Sequence, residues 1–165
     1  MSLTIRPAHP ADYDAVARIT AAAYLGAGHF ASADHRYMRE IMDVPARAAV
    51  APVIVAERDG AVIGSATLAV HGDEWADIAR AHELEFRLLV VDPAVQRSGA
   101  GQAMVEWIIA KAKAMAGITS VALTTGESWH GAHALYRKLG FARAPERDWP
   151  IPENGKLLLV YTLDL

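Results

Sequence analysis

Residues 85–101 read EFRLLVVDPAVQRSGAG, and this stretch decides how the rest of the chain is read. Glu85 to Val91 is an apolar run of strand length that Asp92-Pro93 stops. A short loop leads to Gln96-Arg97-Ser98-Gly99-Ala100-Gly101, which opens a helix predicted over Gly99 to Ala116. Met104, Val105, Ile108, Ala112 and Met115 recur on one face of that helix, and Gly117 ends it. A strand, a glycine turn and a helix in this order present unpaired N–H groups at the positive end of a helix dipole. Glycines let an anion approach that backbone without a Cβ in the way. Arg97 is placed to add a charge-assisted bond. The dipole contributes only about 0.3–2 kcal/mol per charge, so several N–H groups must act together. Two other phosphate motifs fit poorly. No lysine follows Gly101, as a P-loop requires, and Met104 stands where a dinucleotide fingerprint needs its third glycine. Taken alone, the turn is either a phosphate cradle or a tight loop entering a helix.

Upstream, Thr4 to Arg6 reads as a strand closed by Pro7. Tyr13, Val16, Ala17, Thr20, Ala23 and Tyr24 carry helical spacing, predicting a helix from Pro10 to Leu25 that Gly26 and Gly28 end. Ser32 or Asp34 caps a second predicted helix through Met42, with Pro45 beyond it. Val53 to Glu57, the turn Asp59-Gly60 and Val62 to Val70 form a hairpin signal. His71 to Ala81 is polar and reads as a loop with a short turn of helix. Downstream come a strand over Val121 to Thr125, a helix over Gly131 to Leu139 ended by Gly140, and a strand from Phe141. A loop over Asp148 to Gly155 holds two prolines, and Lys156 to Leu165 closes the chain as a strand. The order β-α-α-β-β-β-α-β-α-β-β, without repeat or linker, predicts a mixed α/β fold in one domain over residues 1–165.

Composition bounds the function. With 53% hydrophobic and 21% charged residues over 165 positions, the chain has enough apolar side chains for one substantial core. A net charge of -3 argues against a nucleic-acid partner. The absence of cysteine excludes a disulfide framework, a zinc–cysteine site and a thiol nucleophile. The first residues, MSLTIRPAHPADYDA, lack the apolar run of a signal peptide, and no stretch approaches the ~20 apolar residues that span a bilayer. A soluble, cytoplasmic protein without a membrane partner is expected.

Val91-Asp92-Pro93 followed by Gln96 to Gly101 resembles the acetyl-CoA signature of the GNAT superfamily of N-acetyltransferases. The segment Ala132-His133-Ala134-Leu135-Tyr136-Arg137-Lys138-Leu139-Gly140-Phe141 is similar to that family's Ala-x-x-Leu-Tyr-x-Lys-x-Gly-Phe, and the two follow in the family's order. The resemblance implies the acyl-CoA N-acyltransferase fold. That fold is a mixed, mostly antiparallel sheet of about six to seven strands flanked by about four helices. It implies acetyl-CoA as cosubstrate, with no metal, and an amine of a small molecule or peptide as acceptor; a homodimer is the assembly it suggests. Backbone amides of Gln96, Arg97, Ser98, Gly99, Ala100, Gly101 and Gln102 would hold the pyrophosphate. The pantetheine arm would pair with the strand at Leu89, Val90 and Val91, in a gap opened toward Val121 to Thr125. Backbone N–H groups there would polarise the thioester oxygen. The sequence departs from the family at Arg97, where glycine is common, and at Trp129, where asparagine often opens the last motif.

Amine acetylation needs a neutral nitrogen and a proton for the departing thiolate. By the resemblance, Tyr136 is the candidate donor; read from spacing, it is equally a helix-face residue packed with Ala132, Leu135 and Leu139. Glu85 is the candidate base, because the family places carboxylates there; Glu83, Glu85 and Arg87 share one strand face, so a salt bridge with Arg87 or another cation is the competing reading. His130 and His133 lack the partners that would complete a metal site. His29, His35, His71 and His82 fall in regions that border the family's acceptor site. Trp75 with Asp73, Glu74 and Asp77 forms an acidic, aromatic loop that suits either a cationic acceptor or plain solvent. A non-catalytic acyl-CoA sensor or interaction module of the same fold is the alternative function.

Overall fold

Asp59 and Gly60 both carry positive φ, 53° and 78°, so the turn between strands β2 (Val53–Arg58) and β3 (Ala61–Val70) has the twist that a tight hairpin demands. The computed structural model describes residues 2–28, 30, 32–95, 97–152 and 154–165. Strand β1 (Leu3–Pro7) pairs antiparallel with β2, and β4 (Glu83–Val91) pairs antiparallel with β3. Strand β5 (Ser120–Gly126) then joins β4 in parallel. The closing strand β8 (Leu157–Asp164) inserts beside β5 and carries two short strands, β6 (Ala142–Arg143) and β7 (Trp149–Pro150). The result is an eight-stranded, mostly antiparallel sheet in the order β1-β2-β3-β4-β5-β8-β6, with β7 on β8.

Alternation along the strands builds a core on each face. Ile54, Leu68, Leu84, Phe86, Val121 and Leu123 meet Met104, Val105 and Ile108 of helix α4 (Ala100–Ala114) and Tyr136 of helix α5 (His130–Lys138). On the opposite face, α1 (Tyr13–Gly26), α2 (Arg36–Met42) and α3 (Val44–Ala48) cover Val55, Ala69 and Leu88. Leu88 breaks the alternation. Strict period two would send it with Leu84 and Phe86, yet it packs with Met38 and Trp75. Its φ of 54° marks a β-bulge, where Leu88 and Leu89 together oppose Ala66.

Several boundaries differ from the sequence reading. A 3-10 turn at Pro10–Asp12 precedes α1, which starts at Tyr13. His35, rather than Ser32 or Asp34, caps α2, its Nδ1 accepting the Tyr37 N–H at 3.1 Å. Pro45 does not merely follow a helix: it sits in the first turn of α3, where its missing N–H costs nothing and the Asp43 carboxylate accepts the Ala46 N–H. The sheet therefore carries five α-helices rather than about four. Residues 71–82 form turns and bends without a helical turn, and β7 lies inside the expected 148–155 loop.

Candidate active site

Strands β4 and β5 pair only from Glu83↔Ser120 to Phe86↔Leu123. Beyond that point β4 stays with β3 as far as Val91↔Gly64, while β5 stays with β8 as far as Gly126↔Leu158. The parallel pair therefore splays open in mid-sheet. The Asp92 N–H bonds the Ile63 carbonyl of β3 at 2.8 Å, so alternation turns the backbone groups of Val91 and Leu89 toward the opened edge. The bulge at Leu88 adds to this by placing the consecutive residues Arg87 and Leu88 on the same side of the sheet.

At the end of β4, Pro93–Val95 form a 3-10 turn, and Gly99 caps α4 with a φ of 83°, a left-handed conformation that glycine adopts without strain. The first intrahelical bond runs from the Ala103 N–H to the Gly99 carbonyl at 3.0 Å. The Ala100 N–H reaches only the Ser98 hydroxyl, at 3.4 Å, and among the described residues the N–H groups of Gly101 and Gln102 have no acceptor. Arg97 holds a φ of 64°, where the family usually places glycine, and its side chain is exposed. The Ser98 carbonyl is fixed by Arg58 Nη2 at 2.9 Å. Gln102 and Lys138 tie the start of α4 to α5, at 2.9 Å. Gln96 lies outside the described residues. The row of free N–H groups, the glycine cap and the opened strand edge fit a diphosphate joined to an extended, amide-bearing arm.

A cavity of about 580 Å³ continues from this opening. Leu89, Thr124, Tyr136 and Trp149 line it. Thr124 Oγ1 and Trp149 Nε1 are buried and have no hydrogen-bond partner among the described residues, which is how a wall awaiting a polar ligand looks. Tyr136 is 5% exposed and sits among Phe86, Phe141 and Tyr161 at ring distances of 6.0, 5.8 and 5.8 Å. Burial pushes its phenol well above the usual tyrosine range, so it stays neutral with an O–H available as a hydrogen-bond donor. Below it, His133 Nε2 lies 2.9 Å from the Gly126 carbonyl and Nδ1 2.8 Å from the Tyr161 hydroxyl. A carbonyl only accepts, so Nε2 carries a proton, and the hydrogen bond between Nδ1 and the Tyr161 hydroxyl completes the pair. His133 is thus a lock between α5, the end of β5 and β8.

The other end of the cavity is walled by Tyr24, Phe30, His35, Tyr37, Asp77, Arg87 and Trp129. Glu85 does not line it. Its side chain is 0% exposed, and Oε1 accepts the N–H groups of Asp77, Ile78 and Ala79 at 3.0, 2.9 and 3.0 Å, while burial holds its carboxyl above the usual range. The three charges of β4 take three separate partners. Glu83 pairs with Arg147, Glu85 holds the loop backbone, and Arg87 Nε meets Asp77 Oδ2 at 3.1 Å. Trp75 of the acidic loop is buried between two guanidiniums, Arg47 at 5.7 Å and Arg87 at 5.3 Å from its ring centre. Of the four flagged histidines, His35 lines the cavity, His71 is bound to the Ala79 carbonyl at 2.8 Å, the main-chain carbonyl of His82 accepts the Thr119 N–H, and His29 lies outside the described residues. The aromatic wall escaped the sequence reading because its rings come from four separate segments. The usable signals were His35 and the acidic loop, which contains Asp77. Among the described residues no group of three or more His, Asp or Glu side chains is gathered as a metal site. No helix among them is long and apolar enough to cross a membrane.

The profile of the acetyltransferase (GNAT) family matches residues 14–141. No curated protein matches the chain. Solved structures share its fold. The Salmonella typhimurium protein yncA, solved with acetyl-CoA, superposes with a TM-score of 0.74 at 23% identity, over 100% of this chain and 95% of that one. A ribosomal-protein-alanine N-acetyltransferase from Brucella melitensis gives 0.71 at 22% identity, over 98% and 99%. A GNAT family acetyltransferase from Elizabethkingia anophelis with acetyl-CoA bound gives 0.64 at 21%, over 99% and 98%.

Proposed function

The chain belongs to the GNAT acetyltransferase family, and from that premise we propose that it is an N-acetyltransferase moving the acetyl group of acetyl-CoA directly to a primary amine of a small molecule or peptide. The reading carries with it a cytoplasmic location. The observation that supports it most is the divergence of β4 from β5 after Phe86 and Leu123, beside the unpaired N–H groups at the start of α4. Acetyl-CoA supplies a thioester carbonyl, activated for attack by an amine. The backbone from Arg97 to Gln102 would hold its pyrophosphate, and the Leu89–Val91 edge would pair with its pantetheine amides and offer N–H groups to the carbonyl oxygen. Tyr136, whose phenol carries its proton at neutral pH, donates toward the sulfur. The aromatic end of the cavity receives the acceptor, and Glu85 serves from beneath its wall through the loop it holds.

Thermal shift tests the coenzyme site. A ligand that binds only the folded state at 100 times its Kd adds about 2.7 kcal/mol. At roughly 2–4 °C per kcal/mol for a chain of this size, acetyl-CoA should raise Tm by about 5–11 °C. Gly101→Glu places bulk and negative charge at the cradle, yet its Cβ meets only Leu135 and Val91 at ordinary distances of 3.6 and 3.8 Å. The variant should fold and lose the shift. A shift that survives the substitution would refute the placement. Thiol release across a panel of amines tests turnover, and saturable coenzyme binding without any release would reassign the chain as a non-catalytic acyl-CoA sensor.

A further inference from the structure

Among the described residues, two carboxylates line the cavity, those of Asp77 and Glu127. Glu127 is exposed just past the end of β5, whereas Asp77 stands in the aromatic wall beside Arg87. We propose that Asp77 docks the acceptor as its ammonium and takes its proton, that Glu85 is the positioning residue holding Asp77 in place, and that the acceptor is a primary amine on an apolar body. The inference rests on the acetyl-transfer reading above. It moves the carboxylate that meets the amine from β4 to the loop that β4 supports.

The geometry argues for this division. Asp77 is 32% exposed at its side chain, and among the described residues its one charged contact is Arg87 Nε on Oδ2. A carboxylate has about four acceptor sites, so the single contact with Arg87 leaves most of its capacity uncommitted, on a residue that lines the cavity. Glu85 is sealed: its Oε2 is buried without a partner among the described residues, and its Oε1 is saturated by three consecutive N–H groups. The first of these belongs to Asp77 itself, so the buried carboxylate fixes the backbone from which Asp77 projects. Arg147 clamps the same loop from outside, with Nη2 on the Ile78 carbonyl at 2.9 Å.

The surrounding charges suit a cationic guest. Arg87 commits donors to Trp75 O, Tyr37 Oη and Asp77, so its own charge is compensated in place. Phe30 and Tyr37 stack at 5.5 Å and, with Tyr24 and Trp129 packed edge-on at 5.7 Å, line this end of the cavity with aromatic surface suited to an ammonium and the apolar body that carries it. Among the described residues, the titratable groups nearest Asp77 are Arg87, Glu40, Glu85 and, through Arg87, the Tyr37 hydroxyl, with His35 in the same wall and Glu127 and Lys156 elsewhere in the cavity lining. Burial pushes the Asp77 carboxyl up, with Glu40 in the same sense and Arg87 against it, which makes it a better proton acceptor than a solvated aspartate. In the step proposed, the ammonium N–H bond breaks, its electron pair stays on nitrogen, and the proton passes to the carboxylate.

Calorimetric titration of the coenzyme-free protein with 2-phenylethylamine and its uncharged isostere 2-phenylethanol tests the assignment. The wild type should bind the ammonium at least tenfold more tightly than the alcohol, and lose that preference as pH falls through the Asp77 titration. Asp77→Asn should erase both the preference and its pH dependence. Glu85→Gln keeps an oxygen for the three N–H groups and should retain the preference, whereas Glu85→Ala should lose it with Asp77 still present. Equal binding of the two probes by the wild type, or an unchanged preference in Asp77→Asn, would overturn the proposal. So would a loss in Glu85→Gln as deep as in Asp77→Asn, which would make Glu85 the group that meets the amine. The acetyl-CoA thermal shift in the same samples keeps the two readings apart. Its absence in the wild type, with the ammonium preference intact, sinks acetyl transfer and leaves the docking role of Asp77 standing.

Discussion

Replacing Arg147 by methionine should destabilise the fold more than any other single change at the rim of the site. Arg147 and Glu83 have side chains only 9% and 3% exposed, and two bonds of 2.8 Å join them. Burial alone would push the Glu83 carboxyl up, yet the Arg147 bonds and the Arg80 N–H hold it below the usual carboxylate range. Methionine fills similar volume but leaves this carboxylate buried and unpaired, a loss of about 3–5 kcal/mol. With about 2–4 °C of Tm per kcal/mol in a chain of this length, Tm should fall by about 6–20 °C. Scanning calorimetry at pH 7 reads it, and the double variant Glu83→Leu/Arg147→Met should recover most of the loss, since a packed apolar pair avoids the desolvation penalty. The Ile78 carbonyl also loses its partner, so the single variant should loosen residues 77–79 and weaken amine binding more than coenzyme binding. A Tm drop under about 2 °C in Arg147→Met, or a double variant no better than the single one, would refute the claim that this pair anchors the loop.

Three further outcomes follow from the same structure. Tyr136→Phe should lower kcat by about 10²-fold with little change in KM, because the ring packing stays and only the proton donor goes; steady-state kinetics on any accepted amine decides it. Arg97→Gly should gain about 1 kcal/mol by relieving the left-handed backbone at φ 64°, measured by urea denaturation, while weakening acetyl-CoA binding most at low salt. Acid titration should show two opposite slopes. Asp12, held down by Arg6, and Asp148, held down by Arg143, have depressed folded values, as does Glu83, so their stabilisation is present above the ordinary carboxylate range and is lost as pH falls below about 4. Glu85 is raised by burial, so its contribution runs the other way: it is present at low pH and lost as pH rises through its folded value. Glu85→Gln should therefore flatten the stability gain on mild acidification without moving the acid limb, as denaturant midpoints across the pH range will show.

Much of the fold was legible because its signals are local. Asp59-Gly60 between β-rich runs fixes a hairpin whatever surrounds it, and the two positive φ values bear this out. The strand, glycine turn and helix over 85–116 needed only periodicity and a cap, and observed β4 and α4 differ from the reading by about two residues at their ends. Pro45 was ambiguous for a physical reason: proline stops one helix and opens the next with the same fixed φ, and only the Asp43 cap, seen in three dimensions, tells which.

The site divides along the same line. The sequence by itself determined the glycine turn that leads β4 into α4 and the place of Tyr136 on its helix, because each depends on neighbours within a turn or two, whereas the structure made Gly99 the cap and α4 begin at Ala100. Only the tertiary structure decided that β8 enters beside β5, that β4 leaves β5 after Phe86, and that the bulge at Leu88 turns Arg87 and Leu88 to one side. It also decided which carboxylate faces the cavity. Glu85 and Asp77 carry the same chemistry eight residues apart, and their surroundings differ because the loop folds back over β4, burying Glu85 and leaving Asp77 in the cavity lining. Burial and exposure are properties of the packed chain, and no spacing rule along the strand encodes them.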